Sequence, residues 1–115
     1  MVKYRDELGI IADVLYAAGS GAKKTRIMYA ANLSHGLLEK YLWATTRSSF
    51  LRPNHEGYEV TEKGQAFLEK YAVFSSRCLR VEKEFQNVNF EREALERMCE
   101  PLRSVKVRVA SGRKR

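Results

Sequence analysis

Four consecutive residues, Lys23, Lys24, Thr25 and Arg26, bring three cations and a hydroxyl to the start of an amphipathic segment. At a helix start, where backbone N–H groups have no intrahelical acceptor, such a cluster suits a phosphate oxygen. A second group follows at Ser34, His35, Gly36 and Lys40. Ser34, His35 and Lys40 can reach phosphates or base edges, and Gly36 lets a backbone approach closely. A third group, Arg52 and His55, lies in a turn-rich stretch and can touch a phosphate backbone or enter a minor groove. The second group contains no bidentate Arg or Asn reader of bases, so phosphate contact and shape outweigh sequence readout as the expected chemistry.

Catalytic chemistry finds no comparable cluster. His35 and His55 stand apart, and neither a Ser/His/Asp arrangement nor a carboxylate pair is evident. Cys78 and Cys99 are the only cysteines, too few for a disulfide framework and consistent with a reducing compartment. About six helical turns separate them if they share one helix, so they cannot hold a metal together within a chain. The expectation is a non-enzymatic protein with no cofactor, metal or small-molecule ligand. The N-terminus lacks the apolar core of a signal peptide and no run of about 18 apolar residues occurs, which points to the cytoplasm.

The elements that must position these groups follow from periodicity. Leu8, Ile11, Val14, Leu15 and Ala18 recur at three- and four-residue spacing, predicting a first helix over 4–18 with Arg5, Asp6, Glu7 and Asp13 on its wet side. Gly19 is a natural stop. A second helix is expected over 23–31 with Ile27, Ala30 and Ala31 inward, then a tight turn at Asn32, Leu33 and Ser34. A third helix begins with Ser34 as its cap and carries Leu37, Leu38, Tyr41 and Leu42 inward. This is a helix-turn-helix pattern, a shape that offers its second helix to a DNA major groove. Tyr29 and Tyr41 are expected to be packed. Glu39 and Trp43 join Ser34, His35, Gly36 and Lys40 as outward positions, with Trp43 expected at the edge of the core and DNA stacking as its alternative. Strands at 50–52 and 58–60 around a turn at 53–57 would form a small hairpin, a wing. Thr61 can cap the next helix, and Gly64 in its first turn implies close backbone packing.

From Thr61 the chain can remain helical to about residue 100, with Pro101 as a stop. Phe67, Tyr71, Phe74, Cys78, Val81, Phe85 and Val88 alternate spacings of four and three, a heptad seam. Its phase continues through Arg92, Leu95 and Cys99, while Asn87 and Asn89 allow a bend or break. A lone helix cannot bury such a seam against itself, so a homodimer is expected, with Phe74, Cys78, Val81, Phe85, Val88, Leu95 and Cys99 as the pairing residues. Antiparallel pairing centred near Val88 would bring Cys78 of one chain toward Cys99 of the other, so an interchain disulfide is the alternative to reduced core cysteines.

The expected organisation is a winged body over 1–61, a dimerisation helix over 62–100 and a basic tail over 101–115. Charge follows these divisions. The body holds eight Lys/Arg against six Asp/Glu and the helix seven against eight, whereas the tail holds six and no acids. Most of the net charge of +7 therefore belongs to the tail, and the case for the body rests on where a few cations sit.

The runs KTRIMYAANLS (24–34), LEKYL (38–42) and YEVTEKGQAFLE (58–69) closely resemble the archaeal winged-helix DNA-binding proteins typified by a small chromatin protein of Sulfolobus. The resemblance spans about residues 5–75. It implies a mainly α winged helix-turn-helix with a small β-hairpin wing and a long C-terminal helix, dimerised through an antiparallel coiled coil. It also implies binding of double-stranded DNA without strong sequence preference, in a chromatin-associated or transcription-regulating role at the nucleoid. Two alternatives remain open: a winged-helix module for protein interaction, and nucleic-acid binding through the basic tail.

Overall fold

The structure, a computed structural model, describes residues 5–99. The elements in order are α1 (Glu7–Ala18), α2 (Lys24–Ala31), α3 (His35–Arg47), β1 (Leu51–Asn54), β2 (Gly57–Val60) and α4 (Glu62–Met98). They fall into two compact units that divide inside α4, between Ser75 and Ser76. The expected basic tail lies outside the described residues.

In the first unit, α1 starts later than the spacing suggests because Asp6 caps it, its carboxylate accepting from the Gly9 N–H at 2.9 Å. Arg5 reaches across to the end of α2, donating to the Ala31 carbonyl at 2.7 Å and the Asn32 carbonyl at 3.1 Å. It also pairs with Asp13 at 2.7 Å. One guanidinium thus satisfies carbonyls that a helix C-terminus leaves without partners. Ala12, Val14, Leu15 and Ala18 enter the core, but Leu8 does not. The inward face of α1 is rotated toward Gly9, where an added Cβ would stand 3.3 Å from the Tyr71 hydroxyl.

The turn between α2 and α3 forms as its residues dictate. Asn32 adopts the left-handed conformation at φ 58°, and the Ser34 hydroxyl accepts from the Leu37 N–H at 3.2 Å. Ile27, Ala31, Leu33, Leu38, Tyr41 and Leu42 are buried, whereas Ala30 and Leu37 are exposed, contrary to expectation. The reason is angular. With Leu38, Tyr41, Leu42 and Thr45 setting the inner face at about 100° per residue, Leu37 falls on the flank. Buried Thr45 satisfies its hydroxyl by donating to the Tyr41 carbonyl at 2.6 Å.

The hairpin pairs Leu51 with Val60, Arg52 with Glu59, Pro53 with Tyr58 and Asn54 with Gly57. The strands are longer than expected, leaving only His55 and Glu56 as the turn, and Pro53 lies within β1. It is tolerated because Tyr58 turns both backbone groups the other way. Its N–H donates to the Ala22 carbonyl at 2.9 Å and its carbonyl accepts from the Ala22 N–H at 3.0 Å. Pro53 therefore opposes a residue that asks nothing of it. This bridge ties the linker ahead of α2 to the wing. It requires glycine at position 57, where φ is +128° and a Cβ would lie 2.1 Å from the Ala22 carbonyl oxygen.

Thr61 fastens the start of α4. Its hydroxyl accepts from the Gly64 N–H at 3.0 Å and donates to the Ser49 carbonyl, while its own N–H reaches the Phe50 carbonyl at 2.9 Å. Gly64 is buried, and a Cβ there would meet the Phe50 carbonyl oxygen at 2.4 Å, which is the close approach its presence implies. Leu68 closes the core, and Phe50, Phe67, Tyr71 and Phe74 form a row with successive centroid separations of 5.0, 6.0 and 6.1 Å.

In the second unit the helix continues to Met98 with no interruption at Asn87 or Asn89. No residue from 76 to 99 is buried, and Val81, Phe85, Val88 and Leu95 are each at least half exposed. Cys78 and Cys99 are free thiols, both exposed. Among the described residues, no helix is long and apolar enough to cross a membrane.

Candidate nucleic-acid interface

The outward face of α3 follows from the residues it buries. Opposite Leu38, Tyr41, Leu42 and Thr45 lie Gly36, Lys40, Trp43 and Arg47, related by spacings of four, three and four, all exposed. This stripe carries two cations and no acid. His35 and Glu39 lie on one flank. The Arg47 guanidinium sits 5.1 Å from the Trp43 ring centre, and Lys40 lies 5.4 Å from that of Tyr41. Trp43 is 64% exposed and Tyr29 74%, so neither is packed as expected, while Tyr41 is buried.

Lys23 occupies the cap position of α2 without a capping side chain, and the first turn contains no acid. Lys23, Lys24, Thr25 and Arg26 are all exposed beside its unpaired N–H groups. Lys24 is engaged, however, by Glu39 at 3.1 Å, and His35 lies 3.7 Å from the same carboxylate oxygen. The hydrogen bond to Glu39, reinforced by its charge, raises the Lys24 pKa above the ordinary lysine value. Glu39 thus offsets the charge of Lys24. Among the described residues, Lys23, Arg26, Lys40 and Arg47 form no ion pair.

In the wing, Arg52 is paired with Glu59 across the strands, and the Asn54 amide donates to Glu59 at 3.0 Å. Arg52 first and Asn54 second hold the Glu59 carboxyl below the usual carboxylate range. Asn54 also accepts from the Glu56 N–H at 2.8 Å, shaping the turn that leaves His55 at its tip, exposed. Among the described residues, no group of three or more His, Cys, Asp or Glu is placed to hold a metal.

Sequence reasoning placed Trp43 among the outward positions of this helix but missed Arg47 as a member of the same face. The signal was present: positions 36, 40, 43 and 47 complement the apolar stripe by the same helical arithmetic.

Three helices, a capped turn and a two-stranded wing define a winged helix-turn-helix, and residues 4–77 match that family, to which the chain belongs. It is similar to two uncharacterized proteins of Methanocaldococcus jannaschii. One is 39% identical over 67 residues, covering 57% of this chain and 32% of that protein. The other is 37% identical over 62 residues, covering 53% and 64% respectively. The chain thus spans about a third of one of these relatives and somewhat under two thirds of the other. Its fold is similar to the crystal structure of Sso10a-2, a DNA-binding protein from Sulfolobus solfataricus. The TM-score is 0.57 with 21% identity, over 91% of this chain and all of that one.

Proposed function

We propose that this chain binds double-stranded DNA as a homodimer, without enzymatic activity, as a chromatin-associated protein or transcription regulator at the nucleoid in the cytoplasm. The observation that carries the reading is the outward face of α3, cationic at Lys40 and Arg47 and free of acid, beside the basic start of α2. A DNA-binding fold neighbour supports it. In this arrangement Lys23, Lys24, Thr25 and Arg26 hold one phosphate stretch. Gly36 and Lys40 face the groove with Ser34 and His35 at its edge, and Arg52 and His55 touch the flanking backbone. The pairing of Lys24 and Arg52 with Glu39 and Glu59 favours positioning over tight sequence readout. Homodimerisation rests on the exposed seam of Phe74, Cys78, Val81, Phe85, Val88, Leu95 and Cys99, which a second copy would cover as a coiled coil.

A salt series with several duplexes tests this reading. Affinity should fall steeply with salt and differ little between sequences, because released counterions dominate. The double substitution Lys23→Ala with Arg26→Ala should weaken all duplexes alike and lower the salt slope by about 2. Absence of duplex binding at low salt would refute the proposal, and an unchanged slope would remove those residues from the interface.

A further inference from the structure

The centre of α3 carries an aromatic ring that phosphate contact leaves unused. Trp43 is 64% exposed and lies on the axis of the outward face, with Lys40 before it and Arg47 after it. A phosphate-binding face has no need of an indole. A B-form duplex also gives it little to contact, since stacked neighbours cover the base faces and only edges line the grooves. What a flat, cation-flanked aromatic surface fits is the face of a base that has left its stack, with its phosphates near the flanking cations. The nearest acid on the helix, Glu39, is occupied by Lys24 and lies on the flank. Arg47, 5.1 Å from the ring, fixes the indole from the C-terminal side and supplies charge at the same point.

We propose that Trp43, braced by Arg47, is a stacking platform for an unpaired nucleobase, so that the α3 face binds single-stranded or locally melted DNA as well as duplex. The proposal rests on the reading of α3 as the nucleic-acid-facing helix. It adds a ligand class which that reading does not require.

Trp43 is the only tryptophan in the chain, so its emission reports on this one position. The full chain is titrated with oligothymidylate and, separately, with a blunt duplex, following tryptophan emission and the anisotropy of labelled DNA in parallel. Oligothymidylate should quench Trp43 and shield it from acrylamide, whereas the duplex should bind by anisotropy with little quenching. Trp43→Ala should weaken oligothymidylate binding about tenfold, in line with loss of one stacked base, and weaken duplex binding distinctly less. Trp43→Phe should retain most of it.

Single-strand binding that neither quenches Trp43 nor responds to Trp43→Ala overturns the proposal. So does an equal loss on both ligands, which would make Trp43 a duplex contact. A change in molecular mass for Trp43→Ala with unchanged binding would assign the residue to a protein contact and overturn it equally. The duplex arm reads the broader function independently. If oligothymidylate quenches Trp43 and the duplex fails to bind, the duplex reading falls and the platform stands.

Discussion

The two units treat the same kind of periodic sequence in opposite ways. In α1 and α3 the apolar stripe is buried: Leu15 is fully enclosed and Leu38 is 2% exposed. In the second unit an equally regular stripe leaves Val81 68% and Phe85 62% exposed. Periodicity specifies a face, but covering that face depends on what the chain can bring to it. The first unit surrounds its core with three helices, a wing and the opening turns of α4. Beyond Ser75, among the described residues, only one helix is present, and a single helix has no second surface to offer.

Truncating one member of each stripe gives the sharpest test of that difference. Leu15→Ala should destabilise the protein by about 2–5 kcal/mol, seen as a lowered denaturant midpoint at any protein concentration. Val81→Ala should cost less than about 0.5 kcal/mol in dilute protein, where its side chain faces water. With rising concentration its cost should grow if a second copy covers it. Equal losses in dilute protein would erase the distinction between the units.

A charge on the seam asks the same question of assembly. Phe85→Glu should reduce the mass measured by light scattering to that of one chain, while the helical signal of the first unit persists. A wild-type protein that is already monomeric at high concentration would remove the coiled-coil reading.

The sequence made the elements legible wherever a local rule was in force. Ser34, Thr61 and Gly19 mark helix ends by chemistry that operates within four residues, and Gly64 signals its close contact in the same way. What escaped depends on contacts far apart in the chain. The bridge from Ala22 to Tyr58 places Pro53 harmlessly in a strand, and no local propensity announces it. Leu8 and Leu37 look like core residues by type, yet the rotation of each helix is set by its partners. For the site, the cations were visible but their pairing was not. Lys24 lies fifteen positions from Glu39, and only the packing of α2 against α3 brings them together.

The smallest effect concerns the wing, where charge rather than burial fixes the geometry. Glu59 is held ionised by Arg52 and Asn54, so its pKa is lower in the folded chain than in the unfolded one. A depressed carboxylate contributes stability above its unfolded pKa, about 4, and loses that contribution as pH falls through the folded value. Glu59→Gln should therefore lower Tm slightly near neutral pH, and the gap to wild type should close as the solution is acidified below about pH 4. Arg52 is largely in contact with water and Glu59 partly so, and the effect is therefore modest and should shrink with added salt. Lys24 runs the opposite way: its raised pKa contributes below the ordinary lysine value and is lost as pH rises through the folded one. A Tm gap for Glu59→Gln that stays constant through the acid range would show that the wing is held by its backbone pairing alone. A gap that closes would set the wing apart from the enclosed core around Leu15, whose buried side chains include no carboxylate.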